Sequence, residues 1–352
     1  MPPIPRGVAP GPLGSHAPPR LPRPLALGAC WDLRLVRHAG GHDPRTTRVS
    51  AAPLIDPRSA DAAYRFSEDP WLAAASAAAY TAGRAAGCRC PGAAREVARG
   101  GIVLLRNAGG LLPLRPGSRV AVHESRMPVD LRPALAVREV EVTGAARADV
   151  TVVTSPDTIL VTGGSGAQAA LWSADTAAGL GPALADVLLG RTAAGVPVEP
   201  AGRLPQTWYR SDAELPDPGD PGGDLTYQRF RGVPRYAFGH GLGYTRFAHR
   251  RARLDRDVLE PDGTATLSVD VLNIGGRAGT EVVQVYSRDR GPHAGPLRRL
   301  RRFARVHLDP GAERTVTFRL RHDEFGAGRH TLTVARSCLA VTGSVQIALS
   351  GR

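Results

Sequence analysis

The sequence predicts an α/β domain followed by an all-β, antiparallel sandwich, and three observations carry that expectation. First, apolar runs at "RVAV" (119–122), "DVTVV" (149–153) and "TILVT" (158–162), with turn residues and a helical "GPALADVLLG" (181–190) between and after them, read as buried parallel strands with crossover helices. Second, past residue 245 the apolar period shortens to two. "TATLSVDVLNIG", "TEVVQVYSRD", "LRRFARVHL", "RTVTFRL" and "HTLTVARS" follow one another between Asp-Gly, Gly-Gly, Pro-Gly and Gly-Ala-Gly turns. Third, "PRYAFGHGLGYTRF" (234–247) stands where one pattern gives way to the other. Its Gly239, Gly241 and Gly243 permit positive φ and close backbone approach, while Phe238, Tyr244 and Phe247 are expected to wedge into the seam between domains, with His240 structural.

Taken in order, residues 1–48 are dense in Pro, Gly and Arg and offer one short apolar element, "LALGACWDLRLV" (25–36), so residues 1–65 are expected to be poorly ordered. A helix follows in "FSEDPWLAAASAAAYTAGRAAG" (66–87): Asp69 caps it, Pro70 fills its first position, Ala makes its body and Gly87 stops it. Another short helix begins after residue 92 and leads into "GIVLLRN" (101–107).

Composition narrows the function. Among 352 residues with 42% apolar content, no apolar run reaches the ~18 residues of a membrane span, so no membrane partner is expected. The net charge of +13 invites a nucleic-acid reading, because clustered cations release counterions from phosphate. Yet all 45 basic residues are Arg, scattered through every segment beside only 7 Phe, 7 Tyr and 4 Trp, so no nucleic acid is expected. The densest cluster, Arg298, Arg299, Arg301 and Arg302, alternates with Leu300 and Phe303 and reads as a strand with one solvated face. Cys30, Cys88, Cys90 and Cys338 contain no second pair at zinc spacing, so neither a metal nor a disulfide framework is indicated, and no cofactor is expected. "GGSGAQ" (163–168) follows an apolar strand but lacks the Lys of a phosphate-binding loop and the Gly-x-Ser-x-Gly spacing of a nucleophile elbow. The Pro-rich N-terminus lacks an apolar stretch of ~7 to 15 residues, which sets the expected location as cytoplasmic.

Read together, these pieces resemble glycoside hydrolase family 3, the β-glucosidase-like enzymes. "REVARGGIVLLRNAGGLLPLRPGSRVAV" (95–122) is similar to the entry into the family's α/β-sandwich domain, and "GPALADVLLGR" with "PAGRLPQTWYRS" to its last helix and exit loop. "YAFGHGLGYTRF" resembles the crossing into the third domain, and "NIGGRAGTEVVQVYSRD" through "LRRFARVHLDPGAERTVTFRL" resembles the fibronectin type III-like sandwich. Upstream, "LPRPLALGACWDLRLV" and "SAAPLIDPRSADAAYRFSEDPWLAAASAAAY" are similar to parts of the family's first-domain barrel. The resemblance therefore implies an incomplete (β/α) barrel remnant over 1–91, an abridged α/β sandwich over 92–245 and a fibronectin type III-like β-sandwich over 246–352.

The family's chemistry uses a retaining pair of carboxylates ~5 to 5.5 Å apart. Its nucleophilic Asp belongs to a Ser-Asp-Trp-like context on a late barrel strand, and no such motif occurs here. Only 94 residues precede Arg95. A complete barrel needs ~250. Pro10 stands where the family carries a sugar-binding Asp, and Asp61 where a sugar-binding Arg is expected. Arg58 is the remaining candidate for a substrate contact, Asp32 matches a family position with a structural role, and Glu124 in "HESR" is the carboxylate that could stand in for the acid. No catalytic residue is assigned. Two functions follow: a β-glucosidase-like hydrolase of small glycosides or oligosaccharides, or a non-catalytic scaffold or carbohydrate- or protein-binding module that associates through uncovered apolar surface.

Overall fold

The computed structural model describes residues 24–42, 49–51, 65–86, 93–124, 130–154, 158–163, 166–173, 180–211, 226–289, 297–326 and 328–350. The chain divides into two compact units, one running to Pro205 and including Gly241–Tyr244, the other made of Gln206–His240 and Thr245–Arg352.

The first unit opens with three helices, α1 (Pro24–Ala29), α2 (Leu33–His42) and α3 (Pro70–Ala86). Residues 24–42 thus form helices within the stretch expected to be poorly ordered. The apolar residues that the Pro- and Gly-rich composition obscures supply the reason: Leu27, Cys30, Val36 and Ala39 bury themselves with Phe66, Ala77, Tyr80 and Val97. Close backbone approach tightens the packing. A Cβ on Gly40 of α2 would lie 2.0 Å from the carbonyl oxygen of Tyr80 in α3. The expected cap of α3 is present, with the Leu72 amide donating to Asp69 Oδ1 at 2.7 Å. Among the described residues no strand precedes residue 103, and a single bridge pairs Ser50 with Arg65.

Next come α4 (Ala93–Gly100), β1 (Val103–Asn107), β2 (Val120–Glu124), α5 (Leu131–Ala136), β3 (Val150–Thr154), β4 (Thr158–Gly163), β5 (Gly166–Trp172) and α6 (Leu180–Leu189). The strands form one sheet in the order β1-β5-β4-β3-β2. Only β2 and β3 run parallel, joined through α5, whereas β3–β4, β4–β5 and β5–β1 are antiparallel. The expected parallel sheet is corrected here on a simple ground. Residues 155–157 and 164–165 are too short to carry a chain back to the start of a parallel neighbour, which takes a dozen residues or more. "GGSGAQ" accordingly spans the β4–β5 hairpin rather than a strand-to-helix turn. One face of the sheet, through Val120, Val122, Val150, Val152, Ile159, Val161, Ala169 and Leu171, shares a core with Ala98 of α4, Leu131 and Leu135 of α5, and Leu184 and Leu188 of α6.

The second unit is a sandwich of two sheets, β10-β9-β12-β13-β7 and β11-β8-β6. Its strands are β6 (Phe247–Leu254), β7 (Val258–Leu259), β8 (Thr264–Asn273), β9 (Gly279–Asp289), β10 (Arg299–Leu308), β11 (Glu313–Arg321), β12 (Gly328–Ala335) and β13 (Val341–Leu349). The two-residue alternation aims Leu267, Val269 and Val271 of β8 and Val283 and Val285 of β9 into one core with Phe318, Leu332, Val334 and Ile347.

The glycine-rich crossing does its work inside each unit. Phe238 stacks on Tyr227 with ring centroids 4.2 Å apart, and Phe247 enters the sandwich core. Tyr244 instead serves the first unit, donating its hydroxyl to the Val187 carbonyl at 2.6 Å, while the Leu242 amide donates to the Leu104 carbonyl at 2.8 Å. Gly239 has φ +78, and a Cβ there would lie 2.2 Å from Gln284 Oε1, so only glycine fits. His240 stacks on Tyr236 at 5.2 Å and its backbone amide closes a turn onto the Ala237 carbonyl.

Candidate functional site

Arg58, Pro10 and Asp61 lie outside the described residues. Asp32 sits at the start of α2, where Oδ1 accepts the Arg34 amide at 3.0 Å and the Leu35 amide at 3.4 Å. It is a helix cap, one that satisfies amides which the first turn leaves without partners. Glu124 is the last residue of β2 rather than a loop residue beyond it, with its backbone opposite Thr154 of β3.

Two further carboxylates each gather two or more guanidinium groups. Asp186, on the inner face of α6, has a fully buried side chain. Arg95 of α4 grips it from Nε at 3.0 Å and Nη2 at 2.8 Å, Arg138 beyond α5 donates from Nε at 3.0 Å and Nη2 at 2.7 Å, and Arg99 Nη1 lies 3.8 Å away. Three cations, two from α4 and one from the turn after α5, converge on one acid of α6, so the cluster ties these elements together. Its role is structural, because the side chain has no exposed surface and three guanidinium groups surround the carboxylate.

The other is Asp270, on the outer face of β8. Oδ1 accepts the Thr315 hydroxyl at 2.6 Å, and Oδ2 accepts Arg251 Nε at 2.6 Å and Arg253 Nη1 at 3.1 Å. Arg251 Nη2 also donates to Glu313 Oε1 at 3.1 Å. The Thr315 hydroxyl first, and then the two guanidinium groups, hold the carboxyl at about 2, below its ordinary 3.8. These residues, with Arg314, line an open cleft of about 460 Å³ on the outer face of the sheet β11-β8-β6. The signal was present in sequence, since an Asp between Val269 and Val271 is an acid inside an apolar strand, but its partners come from two other strands, Arg251 and Arg253 from β6 and Thr315 from β11.

The arginine cluster of β10 is tied into the sandwich. Arg301 Nε donates to Ser287 Oγ at 2.7 Å and its guanidinium lies 4.8 Å from the Phe325 ring centroid. Arg302 Nε donates to the Arg319 carbonyl at 3.1 Å and the side chain pairs with Glu324.

Comparison with known proteins places these two units. Residues 131–244 match the glycosyl hydrolase family 3 C-terminal domain, and residues 281–333 match the fibronectin type III-like domain. A β-glucosidase of Rhizobium radiobacter is 37% identical over 203 aligned residues, covering 48% of this chain and 24% of that enzyme. A β-xylosidase of Formosa agariphila is 36% identical over 151 residues, covering 41% of this chain and 20% of its own length. The chain therefore spans about a quarter or less of these relatives. In fold, it is similar to the Bifidobacterium adolescentis family 3 β-glucosidase with a TM-score of 0.62 at 21% identity, covering 80% of this chain and 57% of that one. A β-glucosidase from Erythrobacter marinus gives 0.61 at 21% identity, covering 80% and 54%. With both domains matched in the family's order, the chain is a homologue of glycoside hydrolase family 3, carrying an α/β C-terminal domain followed by a fibronectin type III-like sandwich.

Proposed function

We propose that this chain is a carbohydrate-directed module of β-glucosidase descent that does not itself hydrolyse glycosides. The observation that carries the reading is internal to the chain. Helix α3, in the segment that resembles the family's barrel, ends at Ala86, and α4, which opens the α/β domain, begins at Ala93. Residues 87–92 cannot house the remaining strands of a barrel that takes ~250 residues in all, and the nucleophile of a retaining pair belongs on a late one of those strands. Losing a nucleophile removes the double-displacement path itself, whereas losing one binding contact merely slows it.

Supporting this, Asp32 and Asp69 cap helices and Asp186 is enclosed by guanidinium groups. The relatives' names, β-glucosidase and β-xylosidase, point to sugars as the ligand class. Association through apolar surface is supported by Val153 and Leu160, which are half-buried and paired across β3 and β4, on the sheet face opposite the helix-covered one. Incubation of the full chain with cellobiose and xylobiose, followed by chromatography, tests the reading. Intact disaccharide is expected, and released glucose or xylose in proportion to protein would overturn it.

A further inference from the structure

We propose that the cleft over Asp270 is a binding groove for an acidic oligosaccharide, one whose sugar rings carry carboxylates. The proposal rests on the carbohydrate-directed reading and adds the charge of the ligand and its place on the fold.

The groove is built by a departure from regular strand geometry. Between Arg250 and Arg253, two residues of β6, Arg251 and Ala252, stand against one of β8, Val269, which makes a β-bulge, and Arg251 within it has φ 48. A non-glycine residue in the left-handed region is disfavoured, and such residues gather where surrounding structure holds them for a purpose. Here the bulge brings Arg251 beside Arg253 on the outer face, so that one carboxylate, Asp270, anchors both. Asp270 has a side chain only 5% exposed, while those of Arg251 and Arg253 are 66% and 50% exposed. The anion is thus the buried anchor and the guanidinium groups are what the cleft presents.

Charge and size select the ligand. Three arginines, Arg251, Arg253 and Arg314, line the cleft against two acids, Asp270 and Glu313, leaving one net positive charge. A guanidinium fixed at one edge can still offer parallel N–H groups to a carboxylate. The volume of about 460 Å³ falls within the roughly 300–1,000 Å³ of small-molecule sites. Along the same face, Ser268 stands opposite both Arg253 and Thr317, and Thr266 opposite Arg319, so a strip of hydroxyls leads away from the cationic end. Among the described residues no aromatic side chain lines the cleft, which disfavours a neutral sugar held by ring stacking and a nucleic acid held by base stacking.

Isothermal titration calorimetry on the full chain tests this with trigalacturonate, xylotriose and a short duplex DNA, for the native sequence and for Arg253→Ala and Arg314→Ala. Arg314 makes no contact with Asp270 among the hydrogen bonds that build the cluster, so its variant reads the ligand rather than the fold. Trigalacturonate is expected to bind, with each variant weakening it at least tenfold and xylotriose unaffected by either. Failure of trigalacturonate to bind, binding that both variants leave unchanged, or equal arginine-dependent binding of DNA would each overturn the proposal. Xylotriose binding with trigalacturonate silent would remove the groove and leave the carbohydrate-directed reading standing.

Discussion

Asp186 shows how a single residue can organise a domain. Its carboxylate is enclosed by Arg95, Arg99 and Arg138, and its side chain has no exposed surface. Arg138, with a side chain only 3% exposed, would be left as an unpaired buried charge without Asp186, and breaking a buried pair in this way costs about 3–5 kcal/mol. Asp186→Asn is therefore expected to lower the unfolding free energy by about that amount, read as a shift in the urea midpoint with the slope unchanged. Asp270 makes a pH-dependent contribution instead. Its folded value of about 2 lies below the 3.8 of the unfolded chain, so the stabilisation is complete above 3.8 and is lost as pH falls through about 2. Unfolding curves across that window should be flatter for Asp270→Asn than for the native sequence; identical slopes would show that the carboxylate is not held as described.

At the scale of elements, two contacts decide whether the N-terminal helices form. Asp69→Ala removes the cap of α3, at a cost of about 1 kcal/mol. Gly40→Ala sets a methyl group 2.0 Å from the Tyr80 carbonyl oxygen, so α2 and α3 must separate, costing about 1–3 kcal/mol as overpacking does. Both are measured by thermal melts, and a Gly40→Ala protein as stable as the native would contradict the close crossing. The cap, the proline and the alanine run of α3 were legible because each acts locally. Strands β8 to β12 were legible for a similar reason, since alternation survives without knowledge of partners. Strand β6 was missed: "FAHRRARL" carries three Arg and a bulge, which breaks the period of two. A bulge between Leu300 and Arg302 likewise explains why Leu300 and Phe303 lie three apart on one strand. Strand direction was misread in the first unit because apolar runs mark burial, whereas connection length decides between parallel and antiparallel neighbours.

For the whole molecule, the order of domains was readable from four motifs, and the matched regions 131–244 and 281–333 agree with it. The Asp270 cleft was not readable, because it depends on three strands, β6, β8 and β11, meeting in one register. A catalytic pair was not found in the sequence, and the described residues place Asp32, Asp69 and Asp186 in structural roles. The chain is proposed to keep family 3 architecture without its hydrolytic path. Steady-state hydrolysis of 4-nitrophenyl β-glucoside and β-xyloside by a folded, monodisperse sample tests it most directly. Release of nitrophenol at the rate of a protein-free control is the predicted result, and turnover that scales with protein and is abolished by one carboxylate substitution would contradict it.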